Sequence, residues 1–448
     1  WSSDVCSSDL WNFFPSFSLG WNVARENFWK PLESVVNQFK LRGSWGELGN
    51  QNTSNLYPFY EILPVKSNSG NWLVNGGKTN TADIPSLVST LLTWERVRSF
   101  NVGFDFGAFS NRLTGSFDYF VRKTVDMVGP APQLPLVLGI APAIVNNADM
   151  KSYGFEIELS WRDRIGEVDY GVKFNLADAQ QKVVKYPNTT NAFSDWYAGK
   201  MSGEIWGYTS LGIAKTDEEM KEHLASLPNG GQNQLGNKWG AGDIMYADIN
   251  GDGKVDGGKG TLADPGDQRI IGNSTPRYNF GLVLDTSYKG FDVSIFFQGV
   301  GKRDYAPIVG TNGAVFWGAV NNIWQSMAME EHFDYFRPEG HPMGANLNGY
   351  YPRPDFTSNK NHQVQTRYLQ DASYIRLKNL QIGYTLPKQW INKLHINRCR
   401  VYVSGDNLWT GTSLASMFDP ETLAAGDWGS GKTYPLSKVI SFGLNVNF

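Results

Sequence analysis

The sequence predicts an all-β protein, an antiparallel transmembrane β-barrel with long external loops. Three observations carry this. Segments that alternate apolar and polar residues recur along the whole chain, about eleven of them, most about ten residues long against about 5–6 for soluble strands. Charged residues keep to one side of each segment while Tyr, Trp and Phe gather near segment ends, as in a lipid-facing band flanked by aromatic girdles. Very short turns also alternate with very long connections, the pattern of periplasmic turns and external loops.

Composition agrees. The chain has 448 residues, a net charge of −3, 14% aromatics and 48 glycines. That charge argues against nucleic acid as a partner. No apolar run reaches the length of a membrane-spanning helix: the stretch Leu134 to Val145 is broken by Pro135, Gly139 and Pro142, so a helical membrane protein is excluded. A negative mean hydropathy is compatible with a barrel, because half of each strand faces water. Residues 1–10, Trp1 to Leu10, have no periodicity. Asp4 to Leu10 reads like a translated sequencing adapter and is set aside from fold reasoning, with a genuine disordered N-terminus as the alternative. Cys6 and Cys399 then form no disulfide framework and no CxxC metal site.

Taken in order, the first alternation runs Phe13, Pro15, Phe17, Leu19, Trp21 and Val23. Phe39, Leu41, Gly43 and Trp45 follow, then Phe100-Val102-Phe104-Phe106 and Leu113-Phe117-Tyr119-Val121. Tyr153 to Trp161 and Val168 to Leu176 form the next pair, then Tyr278 to Leu284 and Phe291 to Phe297. Ile375 to Tyr384 changes phase near Asn379, which predicts a β-bulge. Cys399-Val401-Val403 precedes the last strand, Ile440 to Phe448, whose apolar side is Ile440, Phe442, Leu444, Val446 and Phe448.

Ser110-Asn111 and Lys289-Gly290 are expected to be two-residue hairpin turns. Asp126–Met150, Gln180–Arg277, Gly301–Arg367 and Thr410–Pro435 are expected to be long connections. If the short turns are periplasmic, the last strand runs inward and leaves Phe448 in the periplasm. Ile205–Ala214 and Asp243–Asp248 are open between an extra strand pair of the barrel and part of one external loop. Thr216 to Leu224 reads as a short helix with Thr216 as N-cap and Glu219 completing a capping box.

Longer motifs narrow the reading. Tyr368-Leu-Gln-Asp-Ala-Ser-Tyr-Ile-Arg-Leu-Lys-Asn-Leu-Gln-Ile-Gly-Tyr-Thr-Leu-Pro387 resembles a signature of the SusC/RagA family of TonB-dependent outer-membrane transporters. Arg400 to Trp409, Asp419-Pro-Glu421, Tyr434-Pro435 to Phe448, Leu41 to Asn50 and Gly242 to Gly253 are similar to the family in the same order. The resemblance implies a barrel of about 22 strands around a plug, in a Gram-negative outer membrane, with TonB as energy source and a SusD-like lipoprotein as external lid. It covers only the C-terminal portion of such a barrel, residues 11–448, with the plug absent. About eleven strands would leave two sheet edges open in lipid.

The site candidates are sparse. Asp248, Asn250, Asp252, Lys254 and Asp256 fall at calcium-loop spacing, with Gly253 at the turn position. Lys259 stands where the loop's bidentate Glu belongs, so Asp264 or Asp267 would have to fold back; an Asx-rich turn is the alternative. Trp317, Trp324, Tyr335, Phe336, Tyr350 and Tyr351 stand among Asn and Gly, a composition suited to stacking on sugar rings or binding peptides. Packing within the loop or against the lid is the alternative for each. The histidines, His223, His332, His341, His362 and His395, have no metal-site spacing, and Glu156 and Glu158 read as lumen-facing carboxylates. No enzyme is expected. The expected function is uptake of oligosaccharides, or of peptides, through the outer membrane. The alternatives are a siderophore or cobalamin receptor of the wider class, which the Tyr368–Pro387 signature opposes, and a passive porin or adhesin barrel.

Overall fold

Each alternating segment becomes a strand of one sheet. The computed structural model describes residues 12–50, 61–85, 87–88, 92–129, 137, 142–307, 314–318, 328–356, 358–391, 395–423 and 433–448; the segment 1–10 lies outside them. The strands are β1 (Ser16–Asn22), β2 (Gln38–Asn50), β3 (Glu95–Ala108), β4 (Leu113–Gly129), β5 (Val145–Ile165) and β6 (Val168–Lys185). They continue with β7 (Arg277–Tyr288), β8 (Phe291–Lys302), β9 (Tyr374–Thr385), β10 (Arg398–Thr412) and β11 (Val439–Asn447). Among the described residues these form one 11-stranded sheet in chain order, with every neighbouring pair antiparallel. β1 and β11 are its edges, so the sheet is an open wall rather than a closed barrel.

Register converts the period of two into two chemically distinct faces. One cross-strand row runs Trp21, Leu41, Phe104, Phe117, Ile157, Leu176, Phe280. On the opposite face, the neighbouring row runs Lys40, Asp105, Ser116, Glu158, Asn175, Gly281. The apolar face is bare: Leu19 is 78% exposed and Phe442 is 85% exposed. Water would penalise that surface; lipid tails solvate it. On the polar face, charges neutralise one another across strands. Arg42 of β2 donates to Asp118 of β4 at 2.7 and 2.5 Å and to Asp105 of β3 at 3.2 Å. Arg400 of β10 reaches past β9 to Asp292 of β8 at 2.9 Å and donates to Gln381 at 3.0 Å.

The strands are longer than their apolar alternation, β5 having 21 residues and β6 having 18. The hydrogen-bonded ladder continues after the apolar side has ended, and on β6 that side passes from Leu176 to Asp178, Gln180 and Lys182. Lys289-Gly290 does close β7 and β8 as a two-residue turn, with φ +47° and +90°. Ser110-Asn111 does not: Ala108 pairs with Leu113 across a four-residue loop, with Phe109, Ser110 and Asn111 all at positive φ. Bonds outside the hairpin hold that loop, Phe109 N–H donating to Val35 O at 2.8 Å and Asn37 Nδ2 to Asn111 Oδ1 at 2.6 Å. Gly166-Glu167, between β5 and β6, is a further two-residue turn, with Gly166 at φ +60°. The predicted bulge falls at Lys378, which the pairing of β9 with both neighbours skips.

The connections sort by end. Residues 23–37, 109–112, 166–167, 289–290 and 386–397 join strands at one end, and Asn447 finishes there beside Asn397. The connections after β2, β4, β6, β8 and β10 all lie at the other. Ile205–Ala214 and Asp243–Asp248 belong to this second set and not to the barrel sheet. Glu204–Gly207 pairs with Arg269–Asn273, and Ser210–Ile213 pairs with Ile244–Tyr246, as two separate small sheets.

Candidate substrate-facing surfaces

Three long connections at that end, 186–276, 303–373 and 413–438, fold together into a cap with its own core. Its polar centre is Asp243, fully buried beside the equally buried Lys360. Lys360 Nζ lies 2.9 Å from Asp243 Oδ2, Arg353 Nη2 lies 2.7 Å from the same oxygen, and Asn361 Nδ2 donates to Oδ1 at 2.9 Å. The Tyr246 hydroxyl donates to Lys360 O at 2.6 Å, and Gln232 bridges the Ile244 carbonyl and the Tyr246 amide. A carboxylate taken out of water needs such a full complement of donors. Helix α1 (Asp217–Ala225) borders this centre. Thr216 Oγ1 accepts from Glu219 N–H at 3.1 Å as expected, while Glu219 reaches back to Lys215 N–H at 2.6 Å, one residue earlier than a standard capping box.

The apolar half of the cap is aromatic. Phe316 and Trp317 are wholly buried, Trp317 edge-on to His362 at 4.5 Å and to Tyr368 at 4.8 Å. Burial pushes the His362 imidazole down to about 4, because charging it there would forfeit its hydration. These positions correct the stacking expectation for three of its six residues. Trp317, Phe336 and Tyr351 have no face left for a ligand; they are cap core. Tyr350 is half-buried and its hydroxyl accepts from Gln370 Nε2 at 2.7 Å. Tyr335 lies at the cap surface against Arg337, and Trp324 falls outside the described residues. The signature motifs meet here too. Arg376, inside Tyr368–Pro387, pairs with Asp419 at 2.9 Å and Glu421 at 3.0 Å, which explains why Asp419-Pro-Glu421 accompanies that signature.

The calcium-spaced loop is a set of nested Asx turns. Asp248 accepts from Gly251 N–H at 2.7 Å and Gly253 N–H at 2.8 Å, and Asn250 Oδ1 accepts from Asp252 N–H at 3.0 Å. Gly251 and Gly253 sit at φ +76° and +79°, a left-handed backbone that favours glycine. Asp267 does fold back, yet both its oxygens accept backbone N–H groups, from Ile249 at 2.7 Å and Asp256 at 2.8 Å. Lys254 supplies the positive charge, its ammonium bonded to Asp256 and 3.8 Å from Asp252. In this arrangement Asp248 and Asn250 accept backbone N–H groups and Asp256 is bonded to Lys254, with Asp252 beside it, and among the described residues no three acidic, His or Cys side chains converge on one point.

The polar face of the sheet holds the other candidate surface. A cavity of about 530 Å³ lies along β2 to β8, lined by Asp105, Ser116, Glu158, Lys173, Asn175 and Phe296 among others. Glu156, Glu158 and Lys173 form no ion pair with any described residue. Sequence periodicity had placed both glutamates on this face; Asp243 and Lys360, which organise the cap, carried no local signal.

Comparison with known proteins places this architecture. The family model "TonB dependent receptor-like, beta-barrel" matches residues 1–408. The chain is 29% identical to TonB-dependent receptor P3 of Formosa agariphila over 100% of its own length and 43% of that protein. It is 22% identical to TonB-dependent receptor SusC of Bacteroides thetaiotaomicron, covering 41% of it. Its fold matches the structure of the RagAB peptide transporter with a TM-score of 0.71 at 21% identity, over 97% of this chain and 43% of that one. The chain thus spans less than half the length of the curated relatives it matches. That family implies a Gram-negative outer membrane. The chain belongs to the TonB-dependent receptor β-barrel family and is of the SusC/RagA type.

Proposed function

We propose that this chain forms about half the wall of an importer that takes up oligosaccharides, with peptides as the other substrate class, in partnership with a SusD-like lipoprotein. The observation that carries the reading is the pairing of a lipid-facing sheet with a folded cap gathered entirely at its long-loop end. In this reading the long loops are external, the short turns and Phe448 are periplasmic, and the lid protein rests on the cap. The unpaired carboxylates and Lys173 of the polar face would meet a plug on which TonB acts. No step in this function asks the chain to make or break a covalent bond. Among the similar structures, the RagAB complex is named a peptide transporter, which supports the peptide class.

The test is growth of a deletion strain on oligosaccharides, on peptides and under iron limitation. Loss of growth on one oligosaccharide or peptide source, restored by the intact gene, is the expected result. A defect confined to iron limitation would overturn the proposal.

A further inference from the structure

On the lipid-facing side, the last apolar row toward the cap runs Trp45, Phe100, Val121, Tyr153. The next row toward the cap, on the same side, runs Glu47, Arg98, Lys123, Lys151, Lys182. Arg98 is neutralised by Glu47 at 3.1 Å. The three lysines are not: none has an ion pair with a described residue, and Lys123 and Lys182 are exposed. They sit directly opposite one another on adjacent strands about 4.8 Å apart, an arrangement of like charges that destabilises a sheet when nothing lies between them. Nearby the sheet supplies its own counter-charge, as in Arg96 with Asp126 at 2.5 Å and, two rows lower, Arg277 with Asp178. The chain as a whole is net negative, at −3, so a bare cationic row is a local feature and not a general surplus.

We propose that Lys123, Lys151 and Lys182 bind the headgroup phosphate of a membrane lipid. The source is a lipid rather than free phosphate because on β4 and β5 the row continues downward into an acyl-compatible stripe, whereas below Lys182 on β6 stand Gln180 and the Arg277-paired Asp178. Val121 and Tyr119 lie below Lys123 on β4, and Tyr153 and Phe155 lie below Lys151 on β5. Lys151 already runs along this stripe, its ammonium 5.1 Å from the Tyr153 ring centre. Such stems lie on apolar surface while the charged heads reach the polar boundary. The row is closed at one side by Glu47–Arg98 and at the other by Met201, which bridges to Lys182. The site therefore has a floor, two ends and an opening toward the headgroup layer. With the long loops external, as in the proposed function on which this assignment rests, that layer is the outer leaflet.

The experiment uses the complete transporter purified in detergent, titrated with phosphatidic acid, phosphatidylcholine or inorganic phosphate and read by native mass spectrometry. Wild-type protein should retain phosphatidic acid over the other two probes. Replacing Lys123, Lys151 and Lys182 by Gln should weaken that binding by about fivefold per lysine. Replacing all three by Arg should preserve it, and R122Q, which alters a lumen-facing neighbour, should leave it unchanged. Single Gln variants keep the test readable if the triple variant inserts poorly. Equal binding by wild type and the Gln variants, or equal binding of all three probes, overturns the proposal. Failure of wild-type protein to reach the outer membrane would instead count against the proposed function.

Discussion

The sheet and the cap use the same residue types for opposite purposes. Phe442 stands 85% exposed on β11, while Phe316, in the cap, is wholly buried among Trp317, Tyr351, Tyr368 and Phe418. In the sheet, the backbone ladder supplies the order and the apolar side chains merely match a fluid solvent. In the cap, short pieces of sheet and helix supply little order, so side chains locked against one another must do it. A residue's job is therefore set by what the backbone around it has already accomplished.

The largest expected effect tests the polar centre of the cap. Asp243→Ala leaves Lys360 buried without its carboxylate, a loss of about 3–5 kcal/mol. Hydrogen exchange should accelerate across 204–273 and 328–373, while exchange in the ladder of β3 to β6 stays slow. Equal acceleration in both regions would show that cap and sheet unfold as one unit.

Next in size is the response of the cap to acid. The His362 imidazole titrates at about 4 in the folded cap, below the ordinary value of about 6.5. The unfolded cap thus binds an extra proton between those values. Stability is fully present above about pH 6.5 and declines by about 3 kcal/mol in total as pH falls to about 4. Protease sensitivity of the cap should rise over that window, and H362F should flatten the change. A profile unaltered by H362F would assign the acid response to other groups.

What was legible in the sequence follows the same division. Period-two alternation is a local signal, so every sheet strand, the bulge at Lys378 and the helix start at Thr216 could be read from a few neighbouring residues. The cap could not. Asp243 meets Lys360 across 117 residues, and neither has a pattern around it that names the other. Trp317 and Tyr351 read as ligand-stacking rings because Asn and Gly surround them in sequence, whereas in space they are surrounded by Phe316, Tyr368 and His362. Local composition reports the neighbours along the chain, and burial in the cap is decided by neighbours across it.

A smaller effect concerns the Asx loop at the cap edge. Asp267→Ala removes the acceptor of the Ile249 and Asp256 amides and should cost about 1–3 kcal/mol. Because Lys254 already provides the local positive charge, adding calcium should leave digestion of the 243–270 segment unchanged in wild-type protein. Protection by calcium that Asp252→Ala abolishes would show that the loop exchanges its internal bonds for an ion.

The smallest effect probes the comparison most directly. Phe442→Leu and Phe316→Leu make the same chemical change in the two regions, with a similar and small difference in transfer free energy. Lipid tails refit around a leucine at position 442, because no protein atom fixes the shape of that space. The expected cost is below about 1 kcal/mol in the complete barrel. At position 316 the ring fits between Trp317, Tyr351 and Phe418, and those neighbours relax only partly into the space it leaves. Misfit and residual cavity therefore add to transfer, for a total of about 1–3 kcal/mol. Urea titrations that report sheet and cap separately would measure both. Equal costs at the two positions would mean that the apolar face of β11 is packed against protein rather than lipid, and would reverse the assignment of the two faces of the sheet.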